Sequence, residues 1–218
     1  MISAILFDLD GTLVNTDPIH FATWQEMLRQ WNLEIDLEFY QTYISGRINS
    51  EIVQDILPQI SLAAGLEVAE AKETLFRQRG AQLQPLAGLT RILEWTESLK
   101  IKRAVVTNAP KANAHFMLSA LGLTDTFPVV VLAEDAKEGK PHPAPYQLAM
   151  ELLEVTPESV LVFEDSPTGV RSAVSAGIYT IGVTTTHTPE TLLQLGAKQT
   201  IADFTAPHLW DYLTQVKA

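Results

Sequence analysis

Short apolar runs alternate with helical patterns along most of the chain. Five of the runs have the length of a buried strand, and most are separated by segments in which apolar residues recur every three or four positions. Uninterrupted runs of Val, Ile and Leu are typical of strands that are buried on both faces of a parallel sheet. The pattern therefore predicts an α/β fold with a parallel sheet and helices on both faces. The predicted strands are Ala4–Phe7, Arg103–Val106, Val129–Leu132, Val160–Phe163 and Tyr179–Val183.

Helical periodicity lies between and after these strands. Two helix starts combine a capping hydroxyl with a proline in the first turn, at Ser166-Pro167 and at Thr188-Pro189. The other predicted helices are Leu89–Lys100, Pro110–Leu121, Pro143–Glu154 and a last one near Ala206–Val216, and the helix after Ser166 is expected to run to Ala176.

The stretch from Asn15 to Gln82 breaks this alternation, because it has helical periodicity and no convincing strand. We therefore predict a core, residues 1–14 and 83–218, and an inserted all-helical domain, residues 15–82. Ligands bind beyond the carboxyl ends of the strands in a parallel α/β sheet, so an insert leaving the first strand there is expected to act as a lid. The insert has two apolar stripes, which are Phe21, Trp24, Leu28 and Trp31, and Val68, Ala71 and Leu75.

Composition narrows the class of protein. The 218 residues include no cysteine, 15 Lys and Arg, and 26 Asp and Glu, which gives a formal charge of -11. Disulfide scaffolds, thiolate metal sites and cysteine nucleophiles are thereby excluded. An acidic balance opposes binding to nucleic acid or to an anionic membrane, but not to a small anion held in a local basic pocket. The first apolar run, residues 2–7, is too short for a membrane span or a signal-peptide core, so we expect an unprocessed cytoplasmic protein.

Two acids, Asp8 and Asp10, follow the first predicted strand directly and precede Gly11-Thr12. Carboxylates this close repel each other unless a cation or a shared proton relieves them. A hard divalent cation such as magnesium would do so. The alternative interpretation is a pair of turn or capping aspartates, which is common at strand ends.

The ends of three other predicted strands also carry polar groups. Thr107-Asn108 offers a hydroxyl and an amide, although Asn108 could instead cap the next helix. Lys140 lies between Gly139 and Pro141 and could alternatively be a solvated surface lysine. Glu164-Asp165 follows the fourth run, with a helix cap as its alternative role. Four polar strand ends together describe an acidic metal site beside a hydroxyl, an amide and a lysine, which suits a phosphate group.

These motifs resemble those of the haloacid dehalogenase-like hydrolase superfamily, in its phosphatase and β-phosphoglucomutase-like branch with a helical cap. The resemblance covers nearly the whole chain, with the motifs in the family's order. It implies a Rossmann-like core with an inserted cap. The matching segments are Asp8-Leu9-Asp10-Gly11-Thr12, Thr107-Asn108, Lys140-Pro141 and Glu164-Asp165-Ser166-Pro167-Thr168-Gly169.

The resemblance also implies a mechanism. Asp8 would be the nucleophile that forms an aspartyl-phosphate, and Asp10 would be the general acid and then the general base. The family's dehalogenases lack an acid at the place of Asp10, so its presence favours phosphoryl transfer over carbon–halogen cleavage.

The metal and phosphate ligands follow from the same resemblance. Mg²⁺ would be held by the Asp8 side chain, the Asp10 backbone carbonyl and Asp165, with Glu164 as a further metal ligand, an acid behind the ligands, or a cap. The phosphate oxygens would be bound by Thr107, the backbone amide of Asn108, and Lys140.

Two residues of the insert are candidates for substrate binding. His20 lies in a segment similar to the first cap helix of the sugar-phosphate members, and its alternative is a hinge histidine with satisfied hydrogen bonds. Arg47, in Ser45-Gly46-Arg47, resembles a cap arginine that contacts substrate in those relatives. Arg77 and Arg79 are further candidates, but the interpretation as solvated helix-face arginines is preferred. We expect the aromatic residues of the first stripe to serve packing.

The sequence therefore favours a monomeric, magnesium-dependent phosphatase that acts on a small phosphorylated metabolite, a sugar or short-chain phosphate. One alternative is a β-phosphoglucomutase-like phosphomutase, which would use the same two aspartates. A distant alternative is a signalling receiver domain phosphorylated on aspartate, whose compact topology does not accommodate the helical insert.

Overall fold

The chain forms two compact units in a computed structural model that describes residues 2–45, 47, 49–80 and 83–216. The larger unit is Met1–Asn15 with Leu83–Ala218, and the smaller unit is Thr16–Gln82. The predicted end of the insert, Gln82, lies outside the described residues. The action of the smaller unit as a lid stays a prediction.

A six-stranded parallel sheet forms the centre of the larger unit, with the strand order β3-β2-β1-β4-β5-β6. The predicted α/β, Rossmann-like fold is confirmed. The predicted bounds of β1, β3 and β5 are correct, while β2 is one residue longer at each end and β4 is one residue longer at its carboxyl end. The strands are β1 (Ala4–Phe7), β2 (Lys102–Thr107), β3 (Val129–Leu132), β4 (Val160–Glu164), β5 (Tyr179–Val183) and β6 (Gln199–Ile201).

The strand β6 has no counterpart among the predicted strands. It consists of three residues, two of them polar, and therefore carries no apolar run. Its pairing with β5, in which Ile181 lies opposite Gln199, forms it at the edge of the sheet.

The strand order reverses beside β1. The chain passes from β1 to β2 and β3 on one side, and then crosses to β4, β5 and β6 on the other. Such a reversal opens a crevice beyond the carboxyl ends of the strands, where α/β sheets bind ligands. All four residues of β1 are buried, so the residues that follow it emerge at the centre of this edge.

Ten α-helices accompany the strands in the described part of the chain. The two predicted capping hydroxyls are confirmed, because Ser166 accepts from the backbone N–H of Gly169 at 3.0 Å and Thr188 accepts from that of Thr191 at 3.3 Å. The helices are α1 (Asp17–Arg29), α2 (Leu37–Tyr43), α3 (Asn49–Ile56), α4 (Leu62–Arg79), α5 (Leu89–Ser98), α6 (Lys111–Ala120), α7 (Ala144–Leu153), α8 (Pro167–Ser175), α9 (Pro189–Gln194) and α10 (Pro207–Val216).

The two faces of the sheet have different cores. On one face, Leu6 of β1 packs in a buried cluster with residues of β2 and β4 and with apolar side chains of α7 and α8. On the other face the contacts are aromatic, since Phe7 stacks on Phe163 with ring centroids 5.5 Å apart and both contact Phe204. Burial on both faces fixes the strands whose carboxyl ends carry the polar residues.

The smaller unit consists of α1 to α4 around its own apolar core. The first predicted stripe is confirmed as packing, because Trp24 is buried and Phe21 and Trp31 pack against the same cluster. The second stripe is wrong in part. Ala71 is exposed, and α4 instead buries Lys72 and Glu73, together with Gly65 and Phe76.

The chain leaves and re-enters the larger unit at neighbouring points. Val14 forms an isolated antiparallel bridge with Pro85, and the N–H of Leu86 donates to the carbonyl of Leu13 at 2.8 Å. The segments on either side of the insert therefore run beside each other. Among the described residues, no helix is both long enough and apolar enough to cross a bilayer.

Candidate functional site

Three buried acids meet at the carboxyl edge of the sheet. Asp8 follows β1, Glu164 ends β4 and Asp165 comes next in the chain. Each offers a carboxylate oxygen, and these oxygens all lie within 4.8 Å of one another. We call Asp8, Glu164 and Asp165 the acidic cluster.

Lys140 is the cation that faces this cluster. Its Nζ donates to Oδ1 of Asp8 at 2.6 Å, to Oε1 of Glu164 at 2.5 Å and to the carbonyl of Val106 at 2.7 Å. Only 8% of the residue is exposed, so the alternative of a solvated surface lysine is wrong. Burial alone would lower the pKa of Lys140, but the charges of Asp8 and Glu164 raise it, so the ammonium stays protonated.

Burial raises the pKa of Asp8 to about 7, although the neighbouring lysine opposes the shift. Burial also raises the pKa of Asp165 well above its usual range, and the charge of Asp8 adds to the effect. Carboxylates with such pKa values are poorly compensated by the protein alone. Oxygen ligands in a buried acidic cluster fit a hard divalent cation, which would supply the missing positive charge.

Both carboxylate oxygens of Glu164 are bonded within the protein. Oε1 accepts from the Tyr146 hydroxyl at 3.0 Å as well as from Lys140, and Oε2 accepts from the N–H and the hydroxyl of Ser166, each at 3.2 Å. The cap of α8 is Ser166, not Glu164. A Cβ at Gly169 would come within 1.7 Å of Oε1, so Glu164 is tightly enclosed.

The turn after β1 holds Asp10 and Gly11 beside the cluster. Asp10 is half-buried and forms a bridge with Val14, and the N–H of Gly11 donates to the carbonyl of Val14 at 2.7 Å. Gly11 has a φ of +90°, in the region that favours glycine. A Cβ there would lie 2.0 Å from Oδ2 of Asp165. Glycine therefore permits both the turn and the approach of Asp165.

Thr107 and Asn108 lie at the end of β2. The Thr107 side chain is buried, and its hydroxyl accepts from the N–H of Ala109 at 3.0 Å. The Asn108 side chain donates to the carbonyl of Lys140 and accepts from its N–H, both at 3.0 Å. The N-cap position of α6 is Pro110, so the alternative of Asn108 as a cap is wrong. Asn108 instead fastens the Lys140 backbone to the end of β2.

The loop after β5 contains contacts that the sequence interpretation missed. The hydroxyl of Thr186 donates to Oδ2 of Asp165 at 2.5 Å, and that of Thr185 donates to the carbonyl of Gly11 at 2.5 Å. The sequence does contain a feature that could have predicted these contacts, because a run of threonines follows a correctly predicted strand at the same edge of the sheet.

His20 lies on α1 in the smaller unit and is half-buried. Its ring stacks on Phe76, with centroids 4.2 Å apart, and its Nδ1 lies 2.7 Å from Nζ of Lys72. Lys72 also donates to Glu73 at 2.9 Å. The position of the ring is thus set by an aromatic contact and a buried ion pair.

Arg47 lies between α2 and α3, is exposed, and bonds to Asp55 at 2.5 Å and to the carbonyl of Tyr43 at 3.0 Å. Its neighbour Gly46 lies outside the described residues.

Arg77 and Arg79 both pair with acids of the smaller unit. Arg77 bonds to Glu70 at 3.0 Å, and Arg79 bonds to Glu26 and to the carbonyl of Ala22. These surface pairs fit the preferred interpretation of helix-face arginines.

Residues 5–183 match the model of the haloacid dehalogenase-like hydrolase family. The chain belongs to this family. It is 33% identical over 180 residues to the phosphorylated carbohydrates phosphatase of Thermotoga maritima, with 80% of this chain and 82% of the relative covered. It is 27% identical over 193 residues to the β-phosphoglucomutase of Bacillus subtilis, with 83% and 82% covered. A solved HAD hydrolase, family IA, variant 3, from Entamoeba histolytica HM-1:IMSS has a TM-score of 0.85 and 28% identity over 94% of each chain.

These likenesses confirm the resemblance recognised in the sequence. Within the haloacid dehalogenase-like hydrolases, the chain falls in the branch of the phosphatases and β-phosphoglucomutases, and it is an enzyme. Membership over residues 5–183, across the inserted unit, decides against the alternative of a signalling receiver.

Proposed function

We propose that the protein is a magnesium-dependent phosphatase that hydrolyses a small phosphomonoester through an aspartyl-phosphate on Asp8. The placement of Asp8 carries the proposal. Its carboxylate is buried at the carboxyl end of the central strand, 2.6 Å from the Lys140 ammonium and within the acidic cluster. A sugar phosphate is the substrate class that the Thermotoga maritima relative supports by its name.

The reaction divides into two displacements. A carboxylate oxygen of Asp8 attacks phosphorus, and the bond from phosphorus to the ester oxygen breaks as the bond to Asp8 forms. Asp10 gives a proton to the leaving alcohol. Asp10 then takes a proton from water as the water attacks the aspartyl-phosphate, which releases phosphate and restores Asp8.

The phosphate oxygens are bound by the remaining strand ends. We assign this role to the Thr107 hydroxyl, the backbone N–H of Asn108 and the ammonium of Lys140. Lys140 is suited to it because it is buried and is fastened through its backbone to Asn108. A fixed cation at this point stabilises negative charge without reorganisation during the reaction.

The residues that would hold magnesium are the Asp8 side chain, the Asp10 backbone carbonyl and Asp165. When bound, the ion neutralises charge on the transferring phosphoryl group. Glu164 has a different role in this proposal. Its oxygens are engaged by Lys140, Tyr146 and Ser166, so we assign it to orienting Lys140 rather than to ligating the metal.

His20 and Arg47 are proposed to contact the substrate from the cap formed by the smaller unit. The support for His20 is the ring orientation imposed by Phe76 and Lys72. Arg47 is exposed, so a substrate can compete with Asp55 for its guanidinium. The monomeric state and the cytoplasmic location stay predictions.

The test is phosphate release from a panel of phosphomonoesters, with and without magnesium, by the wild type and by Asp8→Asn. The wild type should release phosphate only with magnesium, and Asp8→Asn should release none, because an amide does not act as the nucleophile. Asp125→Asn, at an exposed aspartate, is the matched control and should keep full turnover. Turnover retained by a folded Asp8→Asn variant would refute the mechanism.

A phosphomutase is the second candidate, and the likeness to the Bacillus subtilis β-phosphoglucomutase favours it. It would use the same Asp8 and Asp10, but the phosphoryl group on Asp8 would pass to a second sugar hydroxyl instead of water. A coupled assay for glucose 6-phosphate made from β-glucose 1-phosphate, run beside the phosphate-release assay, separates the two. If glucose 6-phosphate forms faster than phosphate is released, the protein is a phosphomutase and the phosphatase proposal is refuted.

A further inference from the structure

The loop after β5 ties two parts of the candidate site together. Thr185 donates to the carbonyl of Gly11 in the turn after β1, and Thr186 donates to Oδ2 of Asp165 after β4, both at 2.5 Å. Both threonines are half-buried. We call Thr185 and Thr186 the threonine clamp, because they link the turn that carries Asp10 to Asp165.

The direction of the Thr186 hydroxyl follows from its contacts. The Oγ1 atom has one proton and lies 2.5 Å from Oδ2 of Asp165, 3.2 Å from the Asp165 carbonyl and 2.9 Å from Nδ1 of His187. The carboxylate is the nearest and the strongest acceptor, so the proton points to it. With the proton directed to Asp165, the Thr186 oxygen is left to accept from Nδ1 of His187 in the tautomer that carries a proton there.

The two oxygens of Asp165 are held unequally. Oδ2 is bound by Thr186 and lies against Gly11, where even a Cβ would be only 2.0 Å away. Oδ1 accepts from the Thr12 hydroxyl at 3.5 Å, the outer limit of a hydrogen bond. The threonine clamp therefore fixes the plane of the Asp165 carboxylate through Oδ2, and Oδ1 keeps lone pairs with which it can bind a cation.

We propose that Thr186 is a positioning residue for the divalent cation, because it holds Asp165 in the orientation in which Oδ1 ligates. The inference rests on the proposed function, in which Asp165 is a metal ligand. When a group that hydrogen-bonds to a metal ligand and orients it is removed, the metal affinity falls by roughly 10- to 100-fold. The same loss is expected for Thr186→Val, which keeps the shape of the side chain and removes the hydroxyl.

The experiment is calorimetric titration of magnesium chloride into the metal-free full chain. Thr186→Val should bind roughly 10- to 100-fold more weakly than the wild type, and Thr186→Ser should bind as the wild type does. Thr184→Val is the matched control, because that hydroxyl donates to the Ile201 carbonyl at the neighbouring strand and should not affect binding. Phosphate release should show the same ranking in the magnesium concentration needed for half-maximal rate, with the rate at saturation little changed.

Equal magnesium affinities for Thr186→Val and the wild type would overturn the inference, as would an equal loss in Thr184→Val. If Thr186→Val does not fold, Thr186→Ala takes its place and must show the same loss with an unchanged melting temperature of the metal-free protein. A wild type that binds no magnesium would instead remove the metal from the proposed function, an outcome distinct from the first two.

Discussion

Lys140→Met tests whether one ammonium holds the buried carboxylates of the site together. Methionine keeps much of the length of the side chain but loses the bonds to Asp8, Glu164 and the Val106 carbonyl. Both acids are buried, so they would be left without their nearest cation. Removing one partner of a buried ion pair costs about 3–5 kcal/mol, since the remaining charge is uncompensated, and we expect a loss in that range.

The assay has to report on the larger unit alone, because a chain with two compact units does not have to unfold in one step. Hydrogen exchange in a urea series, followed by mass spectrometry of peptides from β1 and β4, gives the free energy of opening of the sheet. Lys137→Met, at an exposed lysine of the same segment, is the control and should change it by less than about 0.5 kcal/mol. Adding Glu164→Gln to Lys140→Met should recover part of the loss, because it removes one unpaired charge.

A loss below about 1 kcal/mol in Lys140→Met would refute the reasoning, because that is the value of a surface ion pair. A double variant less stable than Lys140→Met would also contradict it, since the neutral amide would then be worse than the unpaired carboxylate.

Two further predictions follow from the glycine turn and from the buried pair of the smaller unit. Gly11→Ala should lower the melting temperature more than Gly122→Ala does. Both glycines have a positive φ, which costs an alanine about 1–2 kcal/mol. Only at Gly11, however, would the new Cβ collide with the side chain of Asp165. Equal losses would contradict this. Burial alone would raise the pKa of Glu73, but the charge of the neighbouring Lys72 has the opposite effect, and the net result is a pKa below the ordinary 4.5. Its stabilisation is therefore present above that pH and lost as pH falls through the lowered pKa. In acid titrations followed by circular dichroism, Glu73→Gln should lose less stability below pH 4.5 than the wild type, and an equal loss in both proteins would contradict this.

Much of the site could be predicted because a parallel sheet delivers its carboxyl ends to one edge. Asp8, Lys140 and Glu164 are far apart in sequence, yet each follows or ends an apolar run, and a rule about strand ends groups them without any knowledge of strand order. The same rule would have included Thr186. Thr186 was not predicted because threonine is common in loops and is uncharged, so its presence at a strand end does not by itself indicate a site.

Burial of charged side chains was the part that periodicity could not give. On α4 the stripe of apolar residues predicted Ala71 as an inward position, but Lys72 and Glu73 are buried there. A lysine enters a core only when an acid compensates it, and here the acid is the next residue in the chain. Hydrophobic periodicity considers the polarity of each residue separately, so it does not predict that two opposite charges are buried together.

The paired segments at Val14 and Pro85 have an evolutionary consequence. Because the chain leaves and re-enters the sheet at neighbouring points, the inserted unit can grow, shrink or be exchanged without altering the distance that the core must bridge. The acidic cluster and Lys140 belong entirely to the other unit. Changes within this one continuous stretch of the gene therefore leave the residues of the acidic cluster and Lys140 unaltered.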